Sequence, residues 1–573
     1  MKNAVYTDTF ETQVLVVGGG ITGLTAAHLL LRSGISFMLI EKHRGTSIHP
    51  RARGFDVRSM EIYRQLGLAA SIRKAGLALS PSWGIHTSAS LAQALHKVKR
   101  RKKQAISFPI QMKGLEKLSA QSPESGARCT QDLSEPVLLE AALDRGADIR
   151  FATELVWLDQ DEAGVTAGVR ERETGREYQV RAAYLIAADG ARSGIREHSG
   201  IPTTGQGSLG NLLNIYFEAD LGEFVRGREF SLIRIDQPGI KGLLSAINNA
   251  DKWVFHLHYD PAKGARPEDF TPERITEILD QVIGLEDVRI SVISILPWQP
   301  TVKVVTRMQQ GRIFLAGDAA HVMTPYGGKG ANTGVEDVYN LIWKLRLVLQ
   351  GKAAASLLET YSEERQPIGL YHAENSGRMA DEFGLLKKFV PSFFLSFVSV
   401  MLIGLLRLNW LFPKTPLRKL GGLFGLPIYR YRSGAVAGEQ VNGKGMVRVG
   451  ALRGQPGTRM PHFWVKKGGN EISSLDVAQE QFVIFTGPEG EPWRAAAALV
   501  SKSMDVPLSV FVIGKEADLG YEGEEIGRIL GITVSGALLV RPDGFVAWRS
   551  ARVPFDPALA LKTVLETILE PAI

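Results

Sequence analysis

The residues best suited to chemistry begin at position 16. The stretch VVGGGITG sets Gly18, Gly20 and Gly23 in a G-x-G-x-x-G spacing, after an apolar run and at the head of a run with helical spacing. Each glycine has its own task in a phosphate cradle. The first makes a tight turn, the second lets backbone approach a pyrophosphate, and the third lets the helix pack on the strand. The helix N-terminus favours the anion. Glu41 closes a second apolar run, SFMLIE, 18 residues past Gly23. An acid there can bind ribose hydroxyls. Strand, turn, helix, strand and acid together point to a dinucleotide. A glycine-rich turn in an ordinary βαβ unit is the plainer alternative.

Two later segments carry similar punctuation. YLIAADGARSGIR places Asp189 and Gly190 after an apolar strand, with Ser193 and Arg196 on the following turns. Alone, this is equally a helix-capping loop. IFLAGDAAHVMTPYGGKGANTG places Asp318 at a strand end, then four glycines between Gly327 and Gly334. Glycine at that density means positive φ or close approach of backbone to a ligand. Alone, Asp318 could be only an N-cap.

The elements that must position these residues follow from pattern. The spacing predicts a βαβ unit over 13–41, a helix ending at Gly146, and a helix over 271–283. Runs such as NLLNIYFEAD, KWVFHLHYD and RISVISILPW, between 211 and 299, alternate as strands. They suggest a mostly antiparallel sheet inserted in an α/β domain. Residues 81–125 are polar and irregular, and include HKVKRRKK at 96–103. That run is a solvated loop or edge, or else a docking patch for an acidic partner or a nicotinamide phosphate. After a glycine-rich connector, QFVIFTG, PWRAAAALVSK, LSVFVIG, GALLVRPDGFVAW and a final helix give a βαβ–ββα order similar to thioredoxin. The chain has one cysteine, Cys129, so a CxxC centre is excluded. Packing or dimerisation, with a homodimer as candidate assembly, is the default role of that tail.

Composition bounds the rest. With 573 residues, 45% hydrophobic and 22% charged, the chain has the make-up of a globular protein of several domains. Its net charge of +7 is small for this length and does not call for nucleic acid. The first 13 residues lack the apolar core of a secretory signal, so a cytoplasmic protein is expected. Residues 389–406 carry no charge. Their length is at the lower limit for a membrane span, but Pro391 and three serines favour a buried helical segment over membrane contact.

Gly18-x-Gly20-x-x-Gly23, then Asp189-Gly190, then Gly317-Asp318, in that order, resembles the flavoprotein monooxygenases of the p-hydroxybenzoate hydroxylase fold. The match spans about residues 10–380, and HPRARGFDVRSMEIYRQLGL and RCTQDLSEPVLLEAAL look like that family too. The tail resembles that of the phenol and aromatic-polyketide hydroxylase branch. The resemblance implies a fold: a Rossmann-type FAD-binding domain (1–80, 126–200, 301–435), an inserted substrate sheet (81–125, 201–300) and a thioredoxin-like domain (436–573). It also implies roles. Glu41 would hold the adenosine ribose and Arg53 would lie against the pyrophosphate. Gln131 would contact the ribityl chain, and Asp318 would bind one of its hydroxyls. Asp189 would serve the FAD and the nicotinamide route. Pro325 and the run from Gly327 through Gly328, Lys329, Gly330 and Ala331 to Asn332 would line the isoalloxazine edge.

Lys329 departs from the family pattern, where a neutral residue is usual. It could stabilise reduced anionic flavin or point to solvent. The implied activity is hydroxylation of an aromatic, polyketide-like substrate, with NADPH (or NADH) reducing FAD and dioxygen reacting at flavin C4a to give a hydroperoxide. A phenol would be activated by a base. Candidates are His256 and His258, on one face of a strand, and Tyr259. Plain structural histidines, or no base at all, are the alternatives. A Baeyer–Villiger or epoxidising reaction, or an FAD-binding reductase that inserts no oxygen, are the rival functions.

Overall fold

Four apolar runs and the short segment Asp148–Arg150 become neighbouring parallel strands. In the computed structural model, which describes residues 8–79, 84–98, 120–387, 427, 429–438, 452–522 and 526–570, Thr9–Val17 lies between Phe37–Ile40 and Glu177–Ala187. Asp148–Arg150 flanks the first neighbour and Ile313–Leu315 the second. Val14, Leu15 and Val16 are fully buried in succession. Such burial without alternation is the mark of a parallel sheet covered on both faces. The fingerprint helix Ile21–Arg32 covers one face, and packs against the long helix Gly330–Leu349. It ends as expected, with Gly34 at φ +65°.

The inserted sheet has six strands, in the order Ser291–Trp298, Leu212–Glu218, Lys252–His258, Ile240–Ala246, Leu232–Gln237, Ile85–Ser88. All neighbours pair antiparallel except the last two, which are parallel. Its alternation sorts the side chains. Leu213, Ile215, Phe217, Phe255 and Leu257 enter a core with Ile275, Leu279 and Val282 of the helix Pro272–Ile283. Asn214, Tyr216, His256 and His258 take the other face, toward the FAD-type domain.

The region expected to be irregular contributes that edge strand and the short helix Leu91–Lys97, capped by Ser90. A strand of four residues offers too few periods to be legible. HKVKRRKK beyond Val98 and the apolar segment 389–406 lie outside the described residues. Among the described residues, no helix is long and apolar enough to cross a membrane.

The tail keeps the expected order. Phe482–Thr486 and Leu508–Gly514 are parallel, Ala537–Val540 and Val546–Ser550 form the hairpin, and Glu491–Met504 and Pro557–Leu569 are the helices. A second hairpin, Trp464–Lys467 with Asn470–Ser473, extends the sheet and was not among the expected elements. Its turn is Gly468-Gly469, both at positive φ, which is a legible hairpin signal. Trp493, Leu561 and Leu565 pack against Trp343, Leu347 and Leu357, so the tail shares a core with the helices behind the FAD-type domain.

Candidate cofactor and active site

Parallel strands in register bring their carboxyl ends to one edge. Val17 is level with Ile40 and with Ala187, and Ala187 is level with Leu315. The residues that follow each strand therefore meet. Gly18, Glu41, Asp189 and Asp318, some 300 positions apart in sequence, line one cleft of about 1500 Å³. This edge is where α/β sheets bind ligands.

The backbone there fits a dinucleotide. Gly18 has φ +113°, and a Cβ on it would stand 2.2 Å from the Ala188 carbonyl oxygen. A Cβ on Gly23 would stand 1.9 Å from the Gly18 oxygen. Gly20 precedes the helix with no side-chain cap. Beside it stands Glu135, which sequence reasoning missed. Its carboxylate accepts from Ser47 N (2.8 Å), from Gln131 Nε2 (2.6 Å) and from the Ile21 N–H. Burial raises its pKa above the ordinary carboxylate value. Glu41 accepts the Gly19 N–H at 2.7 Å through Oε2, and the His43 N–H at 2.9 Å through Oε1. Gln131 opens the helix Gln131–Leu143 and lines the cleft.

The two isolated aspartates now have definite surroundings. Asp189 Oδ2 accepts from Ile195 N at 3.3 Å, while Oδ1 is buried without a protein partner. Burial raises its pKa. Asp318 lies inside the 3-10 turn Gly317–Ala319 rather than at a helix N-cap, and lines the cleft. The mass of protein around it raises its pKa, against the nearby His321 and Arg51. Behind the turn, Gly317 donates to Asp337 Oδ2 (3.1 Å), and His321 Nε2 meets the same oxygen at 2.6 Å.

The glycine-rich run turns at Pro325, where Gly328 N donates to the Pro325 carbonyl at 3.1 Å. Gly327 and Gly328 both have positive φ. The helix Gly330–Leu349 then starts at the cleft wall with no side-chain cap. Its free N–H groups and dipole give that wall partial positive charge. Pro325, Gly328, Lys329, Gly330 and Ala331 line the cleft.

Four of the expected residues have partners that the sequence did not announce. Lys329 is neither a free cation nor directed at solvent. It donates to Asp56 Oδ2 at 2.7 Å, and the two side chains are 17% and 13% exposed. Asp56 is simultaneously the N-cap of the helix Val57–Gln65. Asn332 is turned from the cleft and serves as a brace. Its Oδ1 accepts from Asp56 N and Ser59 Oγ, and its Nδ2 donates to the Gly328 carbonyl. Arg53 lines the cleft but is bound elsewhere, donating to the carbonyls of Ala246 (2.7 Å) and Ser231 (3.2 Å) on the inserted sheet. Burial lowers its pKa to about 10. Arg44, Arg51 and Arg128 also line the cleft. Tyr259 points away, into the core of the inserted sheet against Phe270.

His256 and His258 do share a face, as the alternation required. His256 Nδ1 lies 2.5 Å from Asn214 Oδ1, and burial holds its pKa at about 3. His258 packs edge-on to Phe383, and burial lowers its pKa. Neither lines the cleft wall itself. A third histidine, His49, does so. It is 5% exposed and 5.7 Å from the Tyr216 ring, and burial holds its pKa at about 4. It escaped notice because HPRARG drew attention to its arginines.

An FAD-binding α/β domain carrying an inserted sheet and a thioredoxin-like tail is the class this architecture defines. The chain belongs to the FAD-dependent aromatic-ring hydroxylases. Residues 11–376 match the FAD binding domain family, and residues 453–572 match the aromatic-ring hydroxylase C-terminal family. It is 36% identical to tetracenomycin A2 monooxygenase-dioxygenase of Streptomyces glaucescens, over 98% of this chain and 97% of the relative. It is 32% identical to 2,4-dichlorophenol 6-monooxygenase of Delftia acidovorans, over 98% of each chain. In structure it is similar to aklavinone-11 hydroxylase in complex with FAD and aklavinone. The TM-score is 0.80 at 31% identity, over 98% of this chain and 100% of that one.

Proposed function

We propose that this protein hydroxylates a bulky, polyketide-like aromatic compound, consuming dioxygen and NADPH (or NADH). The observation that carries this reading is the continuity of the cleft. It runs from Glu41, through Asp189 and Asp318, to Pro325 and Ala331, and its wall includes His49, Leu296 and Trp298 next to the inserted sheet. One end suits a nucleotide and the other suits a ring. When bound, FAD supplies the redox and oxygen-transfer chemistry.

The chain's own residues bind, orient and shield. Glu41 takes the adenosine ribose. Arg51 faces the cleft and replaces Arg53 as a partner for the pyrophosphate, while Arg44 is paired with Glu173. Gln131 and Asp318 take the ribityl hydroxyls. The N–H groups of Gly330 and Ala331, at a helix start, stabilise negative charge on the ring edge beside them. Lys329, held by Asp56, adds less field than a free cation would. The inserted sheet shields the ring end from water, which oxygen transfer requires. The tail packs or dimerises, and sedimentation velocity distinguishes these.

Turnover under labelled dioxygen tests the reading. A tetracyclic polyketide phenol should gain one labelled oxygen as a ring hydroxyl. A lactone or ester would favour the Baeyer–Villiger alternative. NAD(P)H oxidation that never labels any aromatic compound would favour a reductase.

A further inference from the structure

His49 is a buried side chain with no visible employer. Its residue exposure is 5%, the residue lines the cleft, and neither Nδ1 nor Nε2, both buried, has a hydrogen-bond partner in the protein. Burying a polar atom without a partner costs about 1–3 kcal/mol, so a site bearing two of them is unfavourable unless a ligand completes it. The ring is not loosely placed. It packs 5.7 Å from the Tyr216 ring, on the face of the inserted sheet that also carries Asn214 and His256. Burial and the adjacent Arg51 keep it neutral. A neutral imidazole offers one N–H and one lone pair. It thus matches a ligand that brings both a donor and an acceptor.

We propose that His49 is a substrate-recognition residue, taking a hydrogen bond from a ring hydroxyl of the aromatic ligand and giving one to a second ligand oxygen. The assignment rests on the hydroxylase reading above and sharpens its substrate class to aromatics with two or more oxygen functions. His256 stands behind His49, near it but off the cleft wall. With Nδ1 engaged by the Asn214 carbonyl oxygen, its Nε2 carries the lone pair. The signal is the pairing of burial with open valence. His28 and His321 each leave Nδ1 open but engage the other nitrogen: His28 Nε2 meets the Leu138 carbonyl, and His321 Nε2 meets Asp337.

The test uses FAD-loaded full-length enzyme and two probes: alizarin, which has two hydroxyls beside a quinone, and 2,4-dichlorophenol, which has one hydroxyl. Binding is read by absorbance titration for the parent, His49→Leu and His49→Gln. The leucine should raise the Kd for alizarin about tenfold or more, the scale of one or two lost hydrogen bonds. It should raise that for 2,4-dichlorophenol less. Glutamine, which keeps a donor and an acceptor, should recover most of the loss. FAD affinity should not change. An unchanged alizarin Kd in the leucine variant, equal losses on both probes, or a parent that binds no alizarin would overturn the assignment. So would a fall in FAD affinity, which would give the imidazole to the cofactor. Histidine-dependent binding of alizarin without hydroxylation of any aromatic leaves His49 as proposed and removes only the reading of the reaction.

Discussion

Two buried polar regions of the FAD-type domain are built on opposite principles. At the junction with the tail the Glu364 carboxylate is fully engaged. Glu364 accepts from Arg541 through both oxygens, from Lys344 at 3.0 Å and from Ser433 at 2.6 Å, and Arg541 also holds Asp543. The next residue of the same helix, Arg365, binds Asp337, Glu336 and Tyr431. At the carboxyl edge the reverse holds. Asp189 Oδ1, Thr324 Oγ1 and both nitrogens of His49 are buried without partners. Since an unmade buried hydrogen bond costs more than a made one returns, the engaged carboxylate at Glu364 reads as structure and the cluster of open valences on the cleft reads as a ligand site. Asp337 stands between them, bonded to Arg365 on one side and to His321 and Gly317 on the other.

The comparison is broken most strongly at the saturated side. Glu364→Ala leaves Lys344 buried without its counter-ion and Arg541 with Asp543 alone. It should cost about 3–5 kcal/mol of stability in denaturant unfolding, while the folded fraction still binds FAD. At the open side, Gly23→Ala puts a Cβ 1.9 Å from the Gly18 oxygen. That forces the cradle apart, at a cost of about 1–3 kcal/mol and about tenfold or more in FAD affinity by fluorescence titration. Equal loss of stability and no loss of FAD in both variants would erase the distinction.

The junction residue His321 gives a pH test. Burial presses its pKa down, but the Asp337 carboxylate more than reverses this and leaves it raised. The stability it supplies is therefore full below about pH 6.5, its unfolded value, and is lost as pH rises through the raised folded value. Asp337 has the opposite sign. Burial opposes ionisation, His321 and Arg365 outweigh it, and its lowered pKa yields stability that is lost only in acid. Urea midpoints followed from about pH 5 to about pH 9 should fall at the alkaline end for the parent. His321→Gln should flatten that fall. The smallest effect belongs to Lys329→Met. It unpairs Asp56, should cost ~1 kcal/mol of stability and should leave FAD affinity within about threefold.

Legibility in the sequence followed locality. The fingerprint, the helix over 271–283, the alternating strands and the order of the tail depend on short-range pattern, and they stand where the pattern put them. The meeting of Gly18, Glu41, Asp189 and Asp318 was legible because each follows a strand and parallel strands end at one edge. What stayed hidden depended on partners far away in the chain. Nothing near Lys329 announces Asp56, 273 positions earlier. Nothing near Arg53 announces the carbonyl of Ala246, 193 positions later. Tyr259 was misplaced for a local reason: it follows His258 by one residue, and one residue changes the face of a strand.

The central claim is that the open carboxyl edge, and not the saturated junction, is where FAD binds. Titrating apo-protein with FAD, for the parent, Asp318→Ala and Glu364→Ala side by side with their unfolding curves, tests it most directly. The expected result is crossed. Asp318→Ala should weaken FAD about tenfold or more, the scale of a lost hydrogen bond to a charged group, with unfolding of the apo-protein near that of the parent. Glu364→Ala should bind FAD as the parent does, and unfold earlier. Undiminished FAD affinity in Asp318→Ala, with the loss appearing in Glu364→Ala instead, would contradict the account.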